Sequence, residues 1–202
     1  CPKGIVIRKR CKDGGMKGRE DKEMKTAWVT DSTGYLDKEL SENEDVYVVP
    51  VTIHIAGKEF TDGKDISHEE IYHAITAGQS VTTSQPAVGA FLELYDRLAE
   101  MKYERIYSFL LSGKLSGTVS SSIQAGKMAK IPVHTFDSGL LSYPLTYIMK
   151  KAIDWDDGKD STSDLLEKAA LFRDSNETYV LIGSLEQLHR SGRLSSLKFY
   201  LG

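Results

Sequence analysis

After its first 23 residues the chain contains no cysteine; Cys1 and Cys11 both lie in the amino-terminal stretch. A disulfide framework, a thiolate nucleophile and a cysteine-ligated metal are therefore excluded from residues 24–202. Apolar runs approaching the ~18 residues of a membrane helix are also missing, so no helix is expected to span a bilayer. The familiar chemical signatures fail as well. His54, His68, His73, His134 and His189 form no H-E-x-x-H pattern, and none has a cysteine partner. His68 and His73 read as exposed helix residues. Gly113-Lys114 is followed by Leu115 rather than Ser or Thr, so there is no P-loop. Around Ser116 the order Gly113-Lys114-Leu115-Ser116-Gly117 lacks the G-x-S-x-G spacing of a nucleophile elbow. Asp154, Asp156, Asp157 and Asp160 crowd one loop, but Gly158 falls one place early for a calcium loop and Leu165 stands where it needs Glu. That loop reads as a solvated turn, and no metal or other cofactor is expected.

What is present is an ordinary globular composition: 202 residues, 40% hydrophobic and 27% charged, enough for one sizeable core or two small ones. Residues 1–23 carry eight Lys or Arg against four Asp or Glu, so the net charge of −3 leaves −7 on residues 24–202. This basic tail reads as non-native. The run KGREDKE before Met24 is what purine-rich codons encode when a ribosome-binding site is read through, and Met24 is the expected start. The alternative is a basic arm that binds nucleic acid, which the acidic remainder disfavours. The tail has only IVI before a basic cluster, not the apolar segment of a secretory signal, so a cytoplasmic location is expected.

From Met24 onward, strand-like and helix-like patterns alternate. TAWVT and the run from Val46 to Ile55 are rich in β-branched and aromatic residues, and AGKEF supplies a hairpin glycine. SHEEIYHAITAG opens with Ser67 and Glu70 at capping-box spacing and closes with Gly78, which predicts a helix. Pro86 suits a first helical turn, and Phe91, Leu94, Tyr95, Leu98 and Met101 recur on one helical face. RIYSFLL and IPVHTF read as strands, TVSSSIQAGKMA as a helix, LSYPLTYIMKKAI as a helix interrupted near Pro144, DLLEKAALFRD as a helix and TYVLIGS as a strand. Such spacing predicts an α/β fold with a mostly parallel sheet covered by helices.

Three polar segments directly follow predicted strands: Thr30-Asp31-Ser32-Thr33, Ser112 to Thr118, and Asp137-Ser138-Gly139. A fourth, Thr82-Thr83-Ser84-Gln85-Pro86, precedes a predicted helix. Ligands of open α/β sheets collect beyond the carboxyl ends of the strands, so these segments are candidates for one shared site. Ser116-Gly117-Thr118 falls where a helix begins; its unpaired N–H groups and partial positive charge suit a carboxylate or phosphate, and Gly117 allows close approach. Ser84 ahead of Pro86 reads the same way, as a second helix start gripping the same anion. The plainer reading is that these hydroxyls are helix caps, each contributing about 0.5–2 kcal/mol without any ligand.

The ordered set T-D-S-T, V-V-P-V-T-I with G-K-E-F-T-D-G, T-S-Q-P, L-S-G-K-L-S-G-T-V-S-S-S, F-D-S and L-H-R-S-G-R-L-S resembles the DegV family of bacterial fatty-acid-binding proteins, from about Lys25 to the end. The resemblance implies an EDD-type α/β fold with a parallel-sheet lobe (24–176) and a second α/β lobe that begins at 177–202. Family members continue through a further His- and Gly-rich stretch, so the C-terminal part is expected to be missing. It also implies a non-enzymatic subunit of phospholipid metabolism, which holds one long-chain fatty acid and presents it to a separate ATP-dependent fatty acid kinase. By the same resemblance the carboxylate-gripping hydroxyls fall on Ser84 and Ser116, with Thr83 and Gly117 beside them, and Arg193 is an anion or partner contact. Asp31, Ser32, Thr118, Asp137 and Ser138 are expected to stand behind them.

Two rivals come from other classes. A phosphotransferase of the dihydroxyacetone-kinase type has a related lobe architecture but needs a histidine at its site, and only His134, inside a predicted strand, lies near a polar segment. A serine hydrolase using Ser116 lacks a base.

Overall fold

The computed structural model describes residues 24–158 and 161–179, together with His189 and Gly192. Four strands form a wholly parallel sheet: β1 (Thr26–Asp31), β2 (Val46–Val49), β6 (Arg105–Leu110) and β7 (Val133–Asp137), in the order β2-β1-β6-β7. β1 and β6 are buried along their whole length, as central strands covered on both faces must be. Their side chains alternate between two cores. Trp28, Tyr107 and Phe109 pack with Phe136 against α5 (Ser142–Trp155) and α6 (Thr162–Asp174). Ala27, Val29, Ile106 and Leu110 pack instead against α3 (Val88–Glu100) and α4 (Thr118–Gly126). Burying each large apolar side chain contributes about 1.5–3 kcal/mol, so the two layers hold the sheet between them. A short α1 (Lys38–Ser41), capped by Asp37, follows β1.

Several polar side chains of this core bond one another, although the buried Thr30 Oγ1 on β1 has no hydrogen-bond partner among the described residues. Tyr95 Oη shares hydrogen bonds with Ser108 Oγ at 2.8 Å and Ser122 Oγ at 2.7 Å, and Ser122 Oγ continues to Thr135 Oγ1 at 2.7 Å. Arg105 donates to Asp156 Oδ1 at 2.6 Å and to Thr26 Oγ1 at 2.9 Å. Asp156 thus belongs to a buried ion pair rather than to a solvated acidic turn, and Asp154 pairs with Lys151.

A second, antiparallel sheet in the order β4-β3-β5 is built from β3 (Thr52–Ile55), β4 (Lys58–Thr61) and β5 (Val81–Ser84). The run from Val46 to Ile55 is therefore two strands in two sheets. Pro50 has no N–H for a ladder and breaks the run, while Val51 N donates to Ser32 Oγ at 3.0 Å. The hairpin between β3 and β4 turns through Ala56 and Gly57, both at positive φ, the form that matches strand twist. Ile53, Ile55 and Val81 bury against Ile66 and Ala74, the latter on α2 (His68–Thr76). Ser67 and Glu70 form the expected capping box, and Gly78 adopts positive φ just past the helix.

Three local expectations are corrected. Pro144 does not interrupt α5; it is the third residue, in the first turn, where a missing N–H costs no helical bond. Pro86 stands before the helix cap Ala87 rather than inside α3. Met101 is 44% exposed and lies beyond the buried face formed by Phe91, Leu94, Tyr95 and Leu98. The tail 1–23, residues 180–202 apart from His189 and Gly192, and with them Arg193 and most of the predicted TYVLIGS strand, lie outside the described residues.

Candidate functional site

The segments following β1, β6 and β7 are bound to one another by two carboxylates. Asp31, the last residue of β1, is fully buried; its Oδ2 accepts from Leu111 N at 2.8 Å and its Oδ1 from Thr33 N at 3.0 Å and from the Thr33 hydroxyl. Burial pushes the Asp31 carboxyl above the usual range against the pull of these hydrogen bonds, and Asp62 adds to the rise. Asp137, ending β7, accepts from Gly113 N at 3.1 Å and Gly139 N at 2.9 Å. A side chain at position 113 would start 2.7 Å from Asp137 Oδ2, so the glycine is required for that approach. Ser138 is buried, with its hydroxyl donating to Leu110 O at 2.7 Å. Asp31, Asp137 and Ser138 are thus committed to holding the loops.

Ser116, Gly117 and Thr118 lie where the sequence places them, with α4 beginning at Thr118. Ser116 Oγ and Thr118 Oγ1 share a hydrogen bond at 2.9 Å, and Thr118 is buried. Gly117, the residue before the helix, has no side chain to cap it. A Cβ there would meet the Gln85 amide group at 2.5–2.9 Å, so the T-S-Q-P segment lies directly against S-G-T. The two segments expected to share a site do meet.

Ser84 departs from expectation: it is the last residue of β5, not a helix start, because Pro86 bars Gln85 from helical geometry and α3 begins only after Ala87. Pairing of Thr52 with Ser84 and of Ile53 with Thr83 puts successive β5 side chains on opposite faces. Ser84 Oγ shares a hydrogen bond with His54 Nε2 at 3.0 Å, and His54 Nδ1 lies 3.7 Å from Glu59 Oε1. A histidine other than His134 therefore does stand beside a polar segment. His134 itself lies in β7, where burial and then Arg105 push its imidazole below the usual range.

Thr83 faces the other way, onto a cavity of about 610 Å³ between the loop after β1 and the small sheet. One wall carries Ser32, Thr33, Gly34, Tyr35, Leu36 and Ser142; the other carries Val51, Ile53, Asp62, His68, Ile71, Val81 and Thr83. Its size is that of a small-molecule site, and its lining is mostly apolar with hydroxyls at intervals. Of the four residues expected at the carboxylate, Thr83 lines this cavity, whereas Ser84, Ser116 and Gly117 do not. His68, an exposed helix residue as expected, also reaches its wall. The apolar wall was missed in sequence, although the alternation of Val51, Ile53 and Ile55 marks one inward face. Among the described residues no three His, Asp or Glu side chains group as a metal site.

Residues 25–202 match the family described as uncharacterised protein, DegV family. The chain belongs to the DegV family. A DegV domain-containing protein of Staphylococcus aureus strain N315 is 36% identical over 86% of this chain and 62% of its own length. A second DegV domain-containing protein of that strain is 31% identical over 89% of this chain and 63% of its own. Among solved structures, DegV of Bacillus subtilis, described as a fatty acid binding protein, superposes with a TM-score of 0.79 at 29% identity, covering 89% of this chain and 64% of that one. A DegV family protein of Thermus thermophilus, described by its fatty acid binding, gives 0.78 at 29% identity with the same coverage. The DegV fold expected from the sequence is therefore the fold observed. The chain spans somewhat under two thirds of the length of these relatives. Among the described residues no helix is long and apolar enough to cross a membrane.

Proposed function

We propose that this DegV chain binds one long-chain fatty acid and presents its carboxylate to a separate fatty acid kinase, itself catalysing nothing. The observation that carries this reading is the continuity along β5. Thr83 stands on the wall of the apolar cavity, Ser84 follows at the strand end, and Gln85 reaches Gly117 beside Ser116. In this reading the tail occupies the cavity, where each CH₂ removed from water contributes about 0.8 kcal/mol. The carboxylate emerges past the end of β5, near Thr83, Ser84, Ser116 and the Gly117 backbone. An acid group needs such donors, because a bare carboxylate in an apolar cavity would cost more than the tail returns. It must also stay reachable by a kinase, which fits the exposure of Ser84.

Several further assignments belong to the same reading. Residues 24–176 form the N-terminal lobe, 177–202 begin the second, Arg193 contacts the anion or the partner, and the protein works in the cytoplasm. Support comes from the two solved relatives described as fatty-acid-binding. Mass spectrometry of solvent extracts of the purified protein tests it, a stoichiometric long-chain acid being the expected result. Turnover of a nitrophenyl ester that disappears in Ser116→Ala would overturn the carrier reading in favour of a hydrolase.

A further inference from the structure

The contact between His54 and Ser84 belongs to no motif singled out in the sequence, and its hydrogen-bond valence has a consequence. Ser84 Oγ carries a single proton. If that proton is turned to a ligand carboxylate, the 3.0 Å contact with His54 Nε2 must be made by a proton on the imidazole. The other ring nitrogen, Nδ1, faces the Glu59 carboxylate at 3.7 Å and also favours carrying a proton. In the neutral ring only one nitrogen can do so. With Nδ1 protonated toward Glu59, Nε2 accepts from Ser84, which then offers only lone pairs outward and repels an anion. Both demands are met together only by the imidazolium.

We propose that His54 is a positioning residue for the head group: binding of an acid at Ser84 is coupled to uptake of a proton by His54, which turns the Ser84 hydroxyl into a donor and places a positive charge beside the anion. The inference rests on the fatty-acid reading and deepens it by selecting ionised acids over neutral lipids of the same length. The surroundings favour it. On the face that His54 occupies, β4 contributes Glu59 and Thr61, β5 contributes Thr82 and Ser84, and β3 contributes Thr52. Glu59 is the titratable group among these, so among the described residues of that sheet face it is the one charged group paired with His54. Lys58 pairs with Ile55, at the alternate register position. Ser84 ends β5, an outer strand of the order β4-β3-β5, and His54 lies on the adjoining β3; in this proposal the head group leaves the cavity past Thr83 and turns around the β5 edge to meet them.

Calorimetric titration with dodecanoate at neutral pH, in buffers of different ionisation enthalpy, counts the protons taken up on binding. Dodecanol serves as the neutral ligand of equal length. The expected result is uptake approaching one proton per dodecanoate in the wild type and none for dodecanol. Uptake should vanish in His54→Gln and fall in Glu59→Gln, which removes the demand for the Nδ1 proton. Dodecanoate affinity should weaken about ten-fold in His54→Gln, the scale of losing one charge-assisted hydrogen bond, with dodecanol affinity changing much less. Melting curves establish that each variant folds. Binding of dodecanoate without proton uptake, or equal uptake in the wild type and His54→Gln, overturns the proposal and leaves the fatty-acid reading standing. Failure of the wild type to bind dodecanoate at all, with no acid in its extracts, removes both.

Discussion

Gln85 lies against Gly117: a methyl group on the glycine would start 2.5 Å from the Gln85 Nε2. This is where the loop closing β5 meets the start of α4, and it joins two segments more than thirty positions apart in the chain. Gly117→Ala should displace the Gln85 side chain while leaving the helix intact, since φ −78 at residue 117 suits alanine. Stability should change by less than about 1 kcal/mol, the neighbour being the far end of a flexible side chain. Fatty-acid affinity should drop several-fold. A melting curve beside a ligand titration separates the two effects.

Thr83→Val keeps the shape of the cavity wall and removes its hydroxyl. Affinity for a long-chain acid should fall about ten-fold, the scale of one hydrogen bond to a charged group, and affinity for the alcohol of the same length should fall less. Competitive displacement of a fluorescent fatty acid measures both. Equal losses for acid and alcohol would mean that Thr83 shapes the tail pocket rather than binding the head.

Asp31→Asn replaces an oxygen that accepts from Leu111 N with an NH₂ group, or turns that group toward the N–H and hydroxyl of Thr33, so a backbone donor loses its acceptor in either orientation. A loss of about 1–3 kcal/mol is expected, readable by denaturant titration. The pH dependence has a definite sign. Because burial raises the Asp31 carboxyl in the folded state, its contribution is fully present below the ordinary carboxylate range and is lost as pH rises through the raised folded value. The gap in stability between wild type and Asp31→Asn should therefore be wider in acid than at neutral pH.

Tyr95→Phe deletes the hydroxyl that joins Ser108 and Ser122 in the core between the sheet and α3. Ser122 keeps Thr135 as a partner while the buried Ser108 hydroxyl loses Tyr95, at a cost of about 1–3 kcal/mol. Ligand affinity should be unchanged, because this network lies on the α3 and α4 side of the sheet and contributes nothing to the cavity wall. A change in affinity measured where the variant is fully folded would contradict that separation.

Much of the scaffold was legible in local pattern. TAWVT and RIYSFLL read as strands, and both are buried on two faces. Ser67 with Glu70 marked a helix start, and the spacing of Phe91, Leu94, Tyr95 and Leu98 marked a buried face. The site was legible only as a set of segments. Periodicity showed that T-S-Q-P and S-G-T were polar and stood near element ends, but it could not show that Gln85 touches Gly117.

Local pattern was enough to make the chain an α/β protein with polar segments at the ends of its strands, because burial imposes period two on strands and period 3.6 on helices. Which of Thr83 and Ser84 faces the cavity depends instead on long-range strand pairing. A one-residue change of register exchanges the faces of a strand, and the register of β5 is set by its pairing with β3, nearly thirty positions earlier. The same pairing brought His54 to Ser84, a contact between distant residues that no local pattern encodes.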